Sequence, residues 1–553
     1  MSKPKPFDFC AAVLVVAPLM LVQPALAINS ADANDVVTAV TAVKFDIAGF
    51  FVDGNTLLPT DEIQQTLAPF TGAGRTMEDV TRAAAALRSL YLDAGYAVVQ
   101  VHAPQQAVSM GQVVLKVLED KIKSIDVKGH SAYGIDNILA SLPQLEVNQS
   151  FNAKRVESAI ALANENSAKQ VAVNVQPGTV PGDILTMIDV TEDRIRRLVA
   201  TYDDTGSEAT GSNKVGLTWQ NANLLDSDHA LTLQYGGTLD HVDKVYSLSA
   251  GYHIPFYALG VSADLMAAYS SSSGQNVNLY FAGKGTVLAG RLNYPLATMG
   301  YLRHKLILGA DYKDSESVSG PLTTPITETP ASLTWFAQMA SPGFQGNANV
   351  TWVRNLGGGA HGQSADYYDQ TTGRGARTPI SGPASSNFPG DQWQAVRIGA
   401  SGGLNLPLDW QARAGLNAQL SGDLLLPSEQ FGAGGVSSVR GYPERILSGD
   451  QGYTVNFELY TPELNPYVGG PDASLRALVF VDGGRVSIND TPLPAGFRAS
   501  QIIYSVGFGL RMTYKKDITF KLDIGKAQRA AGAAPLIVNQ GDVRGNVLLS
   551  VAF

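Results

Sequence analysis

From about residue 196 to its last residue, the chain alternates apolar and polar side chains at period two. The segments run about ten residues, the length of a bilayer-crossing strand rather than of an average soluble one. Over 410–421, Ala412, Ala414, Leu416, Ala418 and Leu420 share one face, and Gln411, Arg413, Gly415, Asn417, Gln419 and Ser421 share the other. Tyr504, Val506, Phe508, Leu510, Met512 and Tyr514 alternate with Ser505, Gly507, Gly509, Arg511 and Thr513. Ile518, Phe520, Leu522 and Ile524 alternate with Thr519, Lys521, Asp523 and Gly525, and Tyr246, Leu248, Ala250 and Tyr252 with Ser247, Ser249, Gly251 and His253. The chain ends Val547, Leu549, Val551, Phe553 on one face, a last strand with a terminal aromatic. A soluble sandwich with one wet face would show the same alternation. Segment length and number favour a closed barrel, and aromatics at strand ends fit an interfacial girdle.

Beyond residue 27 no apolar run approaches the ~18 residues of a spanning helix. In lipid only helices and closed barrels satisfy the backbone. The chain is 45% hydrophobic and 16% charged, with mean hydropathy +0.01. That excludes disorder, which needs low hydrophobicity and high charge, and a bundle of membrane helices. A formal net charge of −9 sets nucleic-acid binding aside. Residues 1–27 read as a signal peptide: Lys3 and Lys5, the apolar run 11–22, and Ala25-Leu26-Ala27 as cleavage site. The single cysteine, Cys10, lies in that leader, so no disulfide framework or cysteine metal site is expected in the mature chain.

Residues 43–193 follow another grammar. A strand over 44–52 is followed by a helix opened by Pro59-Thr60-Asp61-Glu62 with Thr60 as N-cap. Thr76 caps a second helix with the apolar stripe Val80, Ala84, Leu87, Tyr91, stopped by Gly95. Gly72-Ala73-Gly74-Arg75-Thr76 reads as the link between the helices, since it lacks the lysine of a phosphate loop. Strands are expected near 97–103 and 112–118. The same order then repeats: strand 122–128, helices 135–142 and 153–164, strands 171–176 and 183–191.

Two strand-helix-helix-strand-strand modules before a barrel resemble polypeptide-transport-associated (POTRA) domains of outer-membrane protein-translocating pores. Val439-Arg440-Gly441-Tyr442 matches the VRGY motif of that superfamily's pore loop, and Phe480-Val481-Asp482-Gly483-Gly484 its F-x-D-x-G strand motif. Two modules most resemble the transporters of two-partner secretion, the hemolysin or adhesin secretion and activation proteins. The resemblance implies a transmembrane antiparallel β-barrel of about 16 strands over 194–553, preceded by POTRA domains at 43–120 and 121–193. It implies a bacterial outer-membrane location with the POTRA domains in the periplasm, and porin activity. The partner would be a secreted exoprotein, adhesin- or hemolysin-like, bound unfolded by the POTRA domains. Lipid and the barrel assembly machinery are the other partners, and the protein is expected as a monomer. A barrel-assembly factor and a passive solute porin are the alternatives.

Residue patterning supports a site inside the barrel. Leu475, Ala477, Val479 and Val481 alternate toward lipid, so Asp482 faces the lumen, as a carboxylate must. Gly484 leaves room beside it. Arg440 lies in the glycine-rich stretch 432–441 between Pro427 and Pro443. A guanidinium fork meeting Asp482 would pin the loop inside, and lysine lacks that fork. Glu458 alternates with Val455, Phe457 and Leu459 and is a second lumen carboxylate for the loop, or simply lumen polarity. Phe553 is read as the C-terminal strand signal. The loop is expected to fill the pore at rest and to rearrange during transport.

No catalytic residue, metal ligand set or cofactor is expected. The seven histidines, His102, His130, His229, His241, His253, His304 and His361, show no i, i+4 pair, and no G-x-S-x-G elbow is present. Runs near 315–331 and 370–390, with Gly357-Gly358-Gly359, read as external loops. Related transporters often begin with a pore-plugging helix and a linker. The about 15 residues of 28–42 would span only ~22 Å as a helix, so no separate plug helix, or only a vestige of one, is expected.

Overall fold

The computed structural model describes residues 43–553 other than 107–110, 207–210, 243–244, 272–283, 320–321, 466–469, 471, 496 and 534–535. The expected leader, the 28–42 segment and any plug helix lie outside the described residues.

The first module packs helices α1 (Thr60–Leu67) and α2 (Met77–Asp93) on a three-stranded sheet. Its central strand, Gln112–Glu119, runs parallel to Gly49–Asp53 and antiparallel to Val99–His102. The α2 stripe of Val80, Ala84, Leu87 and Tyr91 is buried. Asp79 accepts from the Thr76 backbone N–H at 2.8 Å and completes the start of α2. At α1 the cap moves back one residue: Pro59 is the N-cap and Thr60 is the first helical residue. The expected strand 44–52 breaks at Ala48. Its first piece, Phe45–Ile47, pairs with Gly72–Arg75, which is thus a strand and not only a link. A bond between residues 28 apart draws the strands together, Asp46 accepting from the Gly74 N–H at 2.9 Å, while Arg75 donates locally to Pro69 O at 2.9 Å. Nothing in a Gly-Ala-Gly run announces them.

The second module repeats the plan. Helices α3 (Ile135–Ala140) and α4 (Ala153–Ala163) cover a sheet centred on Asp183–Glu192, parallel to Lys121–Lys128 and antiparallel to Lys169–Pro177. The sheets share one topology with separate apolar cores, around Leu87 and Leu115 in the first and Ile138 and Ile188 in the second.

Sixteen antiparallel strands then close into a barrel. They are β1 (Arg196–Asp203), β2 (Lys214–Leu224), β3 (His229–Thr238), β4 (Tyr246–Phe256), β5 (Val261–Ser271) and β6 (Lys284–Pro295). Next come β7 (Leu302–Ser319), β8 in two pieces (Leu322–Glu328 and Pro330–Ser341), β9 (Phe344–Asn355), β10 (Gln394–Asn405) and β11 (Gln411–Leu420). The last five are β12 (Gln451–Tyr460), β13 (Ala473–Ser487), β14 (Ser500–Tyr514), β15 (Ile518–Ala527) and β16 (Val543–Ala552). The barrel shuts where β16 pairs with β1, from Leu548↔Asp203 to Ala552↔Val199. Phe553 adds a backbone bond to Leu198 at 2.8 Å, with its ring on the outside. Leu248, Phe457, Val479, Val481, Tyr504 and Phe508 stand exposed on the outer wall, the surface lipid would cover.

Most connections on the module side are short turns, and the longest loops, 356–393 and 421–450, lie at the far end. The 315–331 run, expected as a loop, instead forms the upper half of the β7–β8 hairpin, with pairs such as Ser315↔Ile326. A ladder beyond the lipid needs no apolar face, so no alternation marks it. The 370–390 region is largely turns, and a short helix, Ser364–Tyr367, precedes it.

A buried joint fixes the second module to the barrel. Lys169, fully buried, donates to Asp228 in the β2–β3 turn and to Asn137 Oδ1 at 3.2 Å. Asp228 also accepts from the Tyr257 hydroxyl at 2.7 Å and from Asn166 Nδ2 at 3.2 Å. Asn137 Nδ2 donates to Asp226 O at 2.9 Å, and Asn166 Nδ2 to Ala222 O at 2.7 Å. Beside them Glu165 meets Lys305 at 2.9 Å and Ser262 at 2.8 Å. Burial pulls the Lys169 ammonium below its ordinary value, and neighbouring Asp228 opposes that pull.

Candidate pore-loop site

Residues 421–450 join β11 to β12 at the far end and turn back into the lumen. Two short strands, Phe431–Ala433 and Leu447–Gly449, make the stem of this loop. Its tip carries Val439, Arg440, Gly441 and Tyr442. Val439 and Tyr442 are buried in an apolar cluster with Ala433, Leu447, Val486 and Ile503. The loop is therefore packed against the β13–β15 wall and not suspended in the pore.

Arg440 grips Asp482 side-on. Its Nε donates to Oδ2 at 2.7 Å and its Nη2 to Oδ1 at 2.8 Å. The Arg440 backbone N–H adds a bond to Oδ2 at 3.1 Å, and Asn456 Nδ2 donates to Oδ1 at 2.9 Å. Asp482 is fully buried, and four donors satisfy its two oxygens. Nη1 of Arg440 turns the other way, to Glu458 Oε1 at 2.6 Å and Asp523 Oδ1 at 3.3 Å. Arg511 holds Asp523 from behind, at 2.8 and 3.0 Å. Two guanidinium groups thus meet three carboxylates from three strands of the wall.

Phe480 supplies the shelf. The Arg440 guanidinium lies 3.5 Å from its ring centroid, a cation–π contact that also shields the fork. Phe480 in turn lies across Gly507 on β14, its register partner. A Cβ at Gly507 would fall 2.3 Å from the Phe480 ring, so only glycine fits there. Gly441 makes the matching approach on the loop. Its φ is +86°, and a Cβ would lie 2.9 Å from the Gly525 carbonyl carbon on β15. Tyr442 anchors the next position, its single O–H donating to Arg529 O at 2.7 Å with Tyr504 O 3.1 Å away, and its oxygen accepting from the Arg529 N–H at 3.2 Å. Gly484 faces the loop stem, where a Cβ would meet Val439 at 3.1 Å and Ala433 at 3.3 Å.

The structure thus brings Arg440, Asp482, Glu458 and Phe480 into one cluster, with Val439, Gly441, Tyr442 and Gly484 packed around it. Phe553 is elsewhere, at the barrel seam. Sequence reasoning missed Asp523, Arg511 and Asn456 as members. All three fall on the inward face of the alternation, so a charged or amide residue there was the available signal. It also missed a second fastening at the loop base. Glu429, buried, receives Lys313 Nζ and Arg397 Nη2, each at 2.5 Å, from β7 and β10. Arg377 of the 356–393 loop pairs with buried Asp450. The loop is held at its base by β7 and β10 and at its tip by β12, β13 and β15. Beside the tip a lumen cavity of about 1190 Å³ remains, lined in part by Arg440, Glu458 and Asp523. Among the described residues no group of side chains could hold a metal ion.

Comparison with known proteins gives concordant findings. A family model described as POTRA domain, ShlB-type, matches residues 45–120. A second, described as haemolysin secretion/activation protein ShlB/FhaC/HecB, matches 185–318 and 329–512. The outer membrane transporter CdiB of Escherichia coli O6:K15:H31 (strain 536 / UPEC) is 23% identical over 471 residues, covering 82% of this chain and 74% of that one. The CdiB of Dickeya dadantii (strain 3937) is 20% identical over 410 residues, 72% of this chain and 69% of that one. Among solved structures, CdiB from Escherichia coli superposes with TM-score 0.73 at 18% identity, covering 94% of this chain and 93% of that one. CdiB from Acinetobacter baumannii gives 0.64 at 14% identity, covering 92% and 90%.

Proposed function

Because this chain belongs to the haemolysin secretion/activation protein ShlB/FhaC/HecB family, we propose that it exports one unfolded partner protein along a route from its POTRA modules through its barrel. It is an outer-membrane transporter of two-partner secretion, with its modules in the periplasm. The finer steps are our reading. The modules capture the passenger by strand addition at a sheet edge, where backbone bonds supply affinity and alternate side chains supply selectivity. The Gly49–Asp53 edge suits this role, because its Phe51 ring is 55% exposed. The barrel then conducts the extended chain outward. No nucleotide-binding loop is present in the sequence, so folding of the passenger outside supplies the direction.

The pore loop works in this reading as a scaffold. Three wall carboxylates around one guanidinium, an aromatic shelf and a glycine crossing define a single seated position. The observation that carries the proposal is this combination in one chain: two small α+β modules of POTRA topology fastened to a closed barrel that retains an open, polar lumen. A solute pore needs no such modules. Deletion of the gene tests the reading. A transporter leaves one large passenger accumulating in the periplasm and absent from the surface, with other outer-membrane barrels at normal levels. Loss of many barrels at once would identify an assembly factor instead.

A further inference from the structure

The lumen cavity has two unlike sides. It reaches Ser341, Gly343 and Gln411 at the periplasmic rim of β8–β11, and Thr205, Lys214 and Thr238 at the outer rim of β1–β4. It therefore crosses the barrel obliquely, from rim to rim. The loop tip bounds it through Val436, Ser437, Arg440 and Glu444, together with Glu458, Arg511 and Asp523 on the wall behind. Most of those charges are already bonded to one another. The flanking walls are different. The inward-facing lining residues of β1–β4 and β8–β11, such as Thr218, Gln234, Ser249, Asn347, Ser401 and Gly415, are small or neutral. Among the described residues the charged exceptions there are Asp203, Lys214 and Arg413, all at strand ends. Lys214 donates to Thr205 at 3.2 Å, and the Arg413 guanidinium lies 4.4 Å from the Tyr460 ring centroid.

A conduit for a chain of varied sequence needs contacts that are many and weak, so that each segment enters and also leaves. A lone fixed charge would hold passing residues of opposite sign. An apolar patch would hold passing leucines and phenylalanines. A wall of glycine, serine, threonine and amides does neither, and its short side chains lose little rotamer freedom to a passing chain. We propose that this neutral wall is the polypeptide path, taken by a single extended segment while the Arg440 loop tip stays seated as the other bank. The proposal rests on the export reading above and adds the route and the state of the loop.

The test uses the full chain in planar bilayers. The probes are potassium current and a neutral glycine–serine polypeptide of about thirty residues, about 100 Å extended and longer than a bilayer is thick, added on the periplasmic side. Ser249→Trp combined with Ser401→Trp fills the conduit from both walls. Ala433→Cys combined with Gly484→Cys ties the loop stem to β13. The 3.3 Å between an ideal Gly484 Cβ and Ala433 Cβ is close to disulfide spacing. Heat-modifiable migration verifies each barrel, and the tether is judged against its own reduced form. The expected frequency of transient blockades is equal in oxidised and reduced tether. In the tryptophan pair it falls about ten-fold, equivalent to about 1.4 kcal/mol of added entry barrier. Blockades lost on oxidation would mean the loop must leave, and blockades undiminished by the tryptophans would put the path elsewhere. Potassium current with no blockades in the unmodified protein would reduce the conduit to an ion leak. Each of these overturns the proposal. Failure of the export reading shows separately, as no periplasmic passenger after gene deletion while the blockade pattern holds.

Discussion

The joint and the pore loop are both built on buried cations, yet they are opposite kinds of site. At the joint, Lys169 and Asp228 are sealed by Tyr257, Asn137 and Asn166, with both charges almost wholly removed from solvent. At the loop, Arg440 has three carboxylate partners, and five members of the cluster, Arg440, Asn456, Glu458, Arg511 and Asp523, line an open cavity. A sealed pair is costly to break and cheap to replace, because its desolvation penalty nearly cancels its attraction. A cluster beside water is cheap to break in free energy and hard to replace in geometry, because only a fork reaches three partners at once. The first kind of site holds two bodies at a fixed angle. The second holds a loop in one shape beside a moving chain.

The sharpest way to break the contrast is Lys169→Met. It strands Asp228 in a sealed site and is expected to weaken the module–barrel joint by roughly 3–5 kcal/mol. Limited proteolysis after reconstitution should show new cleavage between the module and β1. Hydrogen exchange should rise across the β2–β3 turn. Adding Asp228→Asn, which tolerates the left-handed backbone there (φ +58°), should restore most of the protection, since the stranded charge is then gone. If the double variant stays as open as the single one, the joint depends on charge itself and the comparison is wrong.

Much of the pore half was legible in the sequence, and the joint was not. Alternation alone puts Asp482, Glu458, Asp523 and Arg511 on the inward face, because a side-chain period of two states orientation residue by residue. The resemblance paired Arg440 with Asp482. The shelf made by Phe480 was hidden, since an inward aromatic in the motif reads as filler until Gly507 is found opposite. Lys169 and Asp228 sit in ordinary local patterns 59 residues apart. A lysine that begins a strand and an aspartate in a turn are each unremarkable, and only the docking of module on barrel makes them a pair. The Phe45–Ile47 strand with Gly72–Arg75 failed for the same reason: its partner is distant in sequence and has no pattern of its own.

At the loop, Arg440→Ala is expected to lower barrel stability by about 1–3 kcal/mol, less than the joint variant, because Glu458 and Asp523 line the cavity and buried Asp482 keeps its bonds from Asn456 and the residue-440 backbone N–H. Its effect on function should be much larger than that figure suggests. The barrel should remain inserted and heat-modifiable while passenger secretion falls sharply. Arg440→Lys keeps the charge but loses the fork, so it should restore stability more than secretion. Equal restoration of both would show that charge alone seats the loop. Normal secretion by Arg440→Ala would remove the motif from transport.

The smallest expected effect tests whether the sealed character of the joint extends into the second module, through Glu192. This carboxylate ends the central strand of the module sheet. Burial pushes its pKa up, but the Ser131 hydroxyl and the backbone N–H groups of Ser131, Ala132 and Tyr133 pull it further down, to a net value below the ordinary 4.5. The ring of Tyr133, the last of these donors, lies beside Lys169 at 5.2 Å, so the loop that Glu192 holds is also one wall of the joint. A depressed carboxyl adds stability that is present above the unfolded-state value and is lost as pH falls through the folded one. Module protection should therefore be flat through neutral pH and decline only in acid below about 4.5. Glu192→Gln should remove part of that decline while leaving the neutral-pH joint closed. A joint that instead loosened near neutral pH would tie its closure to charged groups beyond Glu192. The Lys169–Asp228 pair would then be one element of a wider charge network, closer in kind to the pore loop than to a sealed pair.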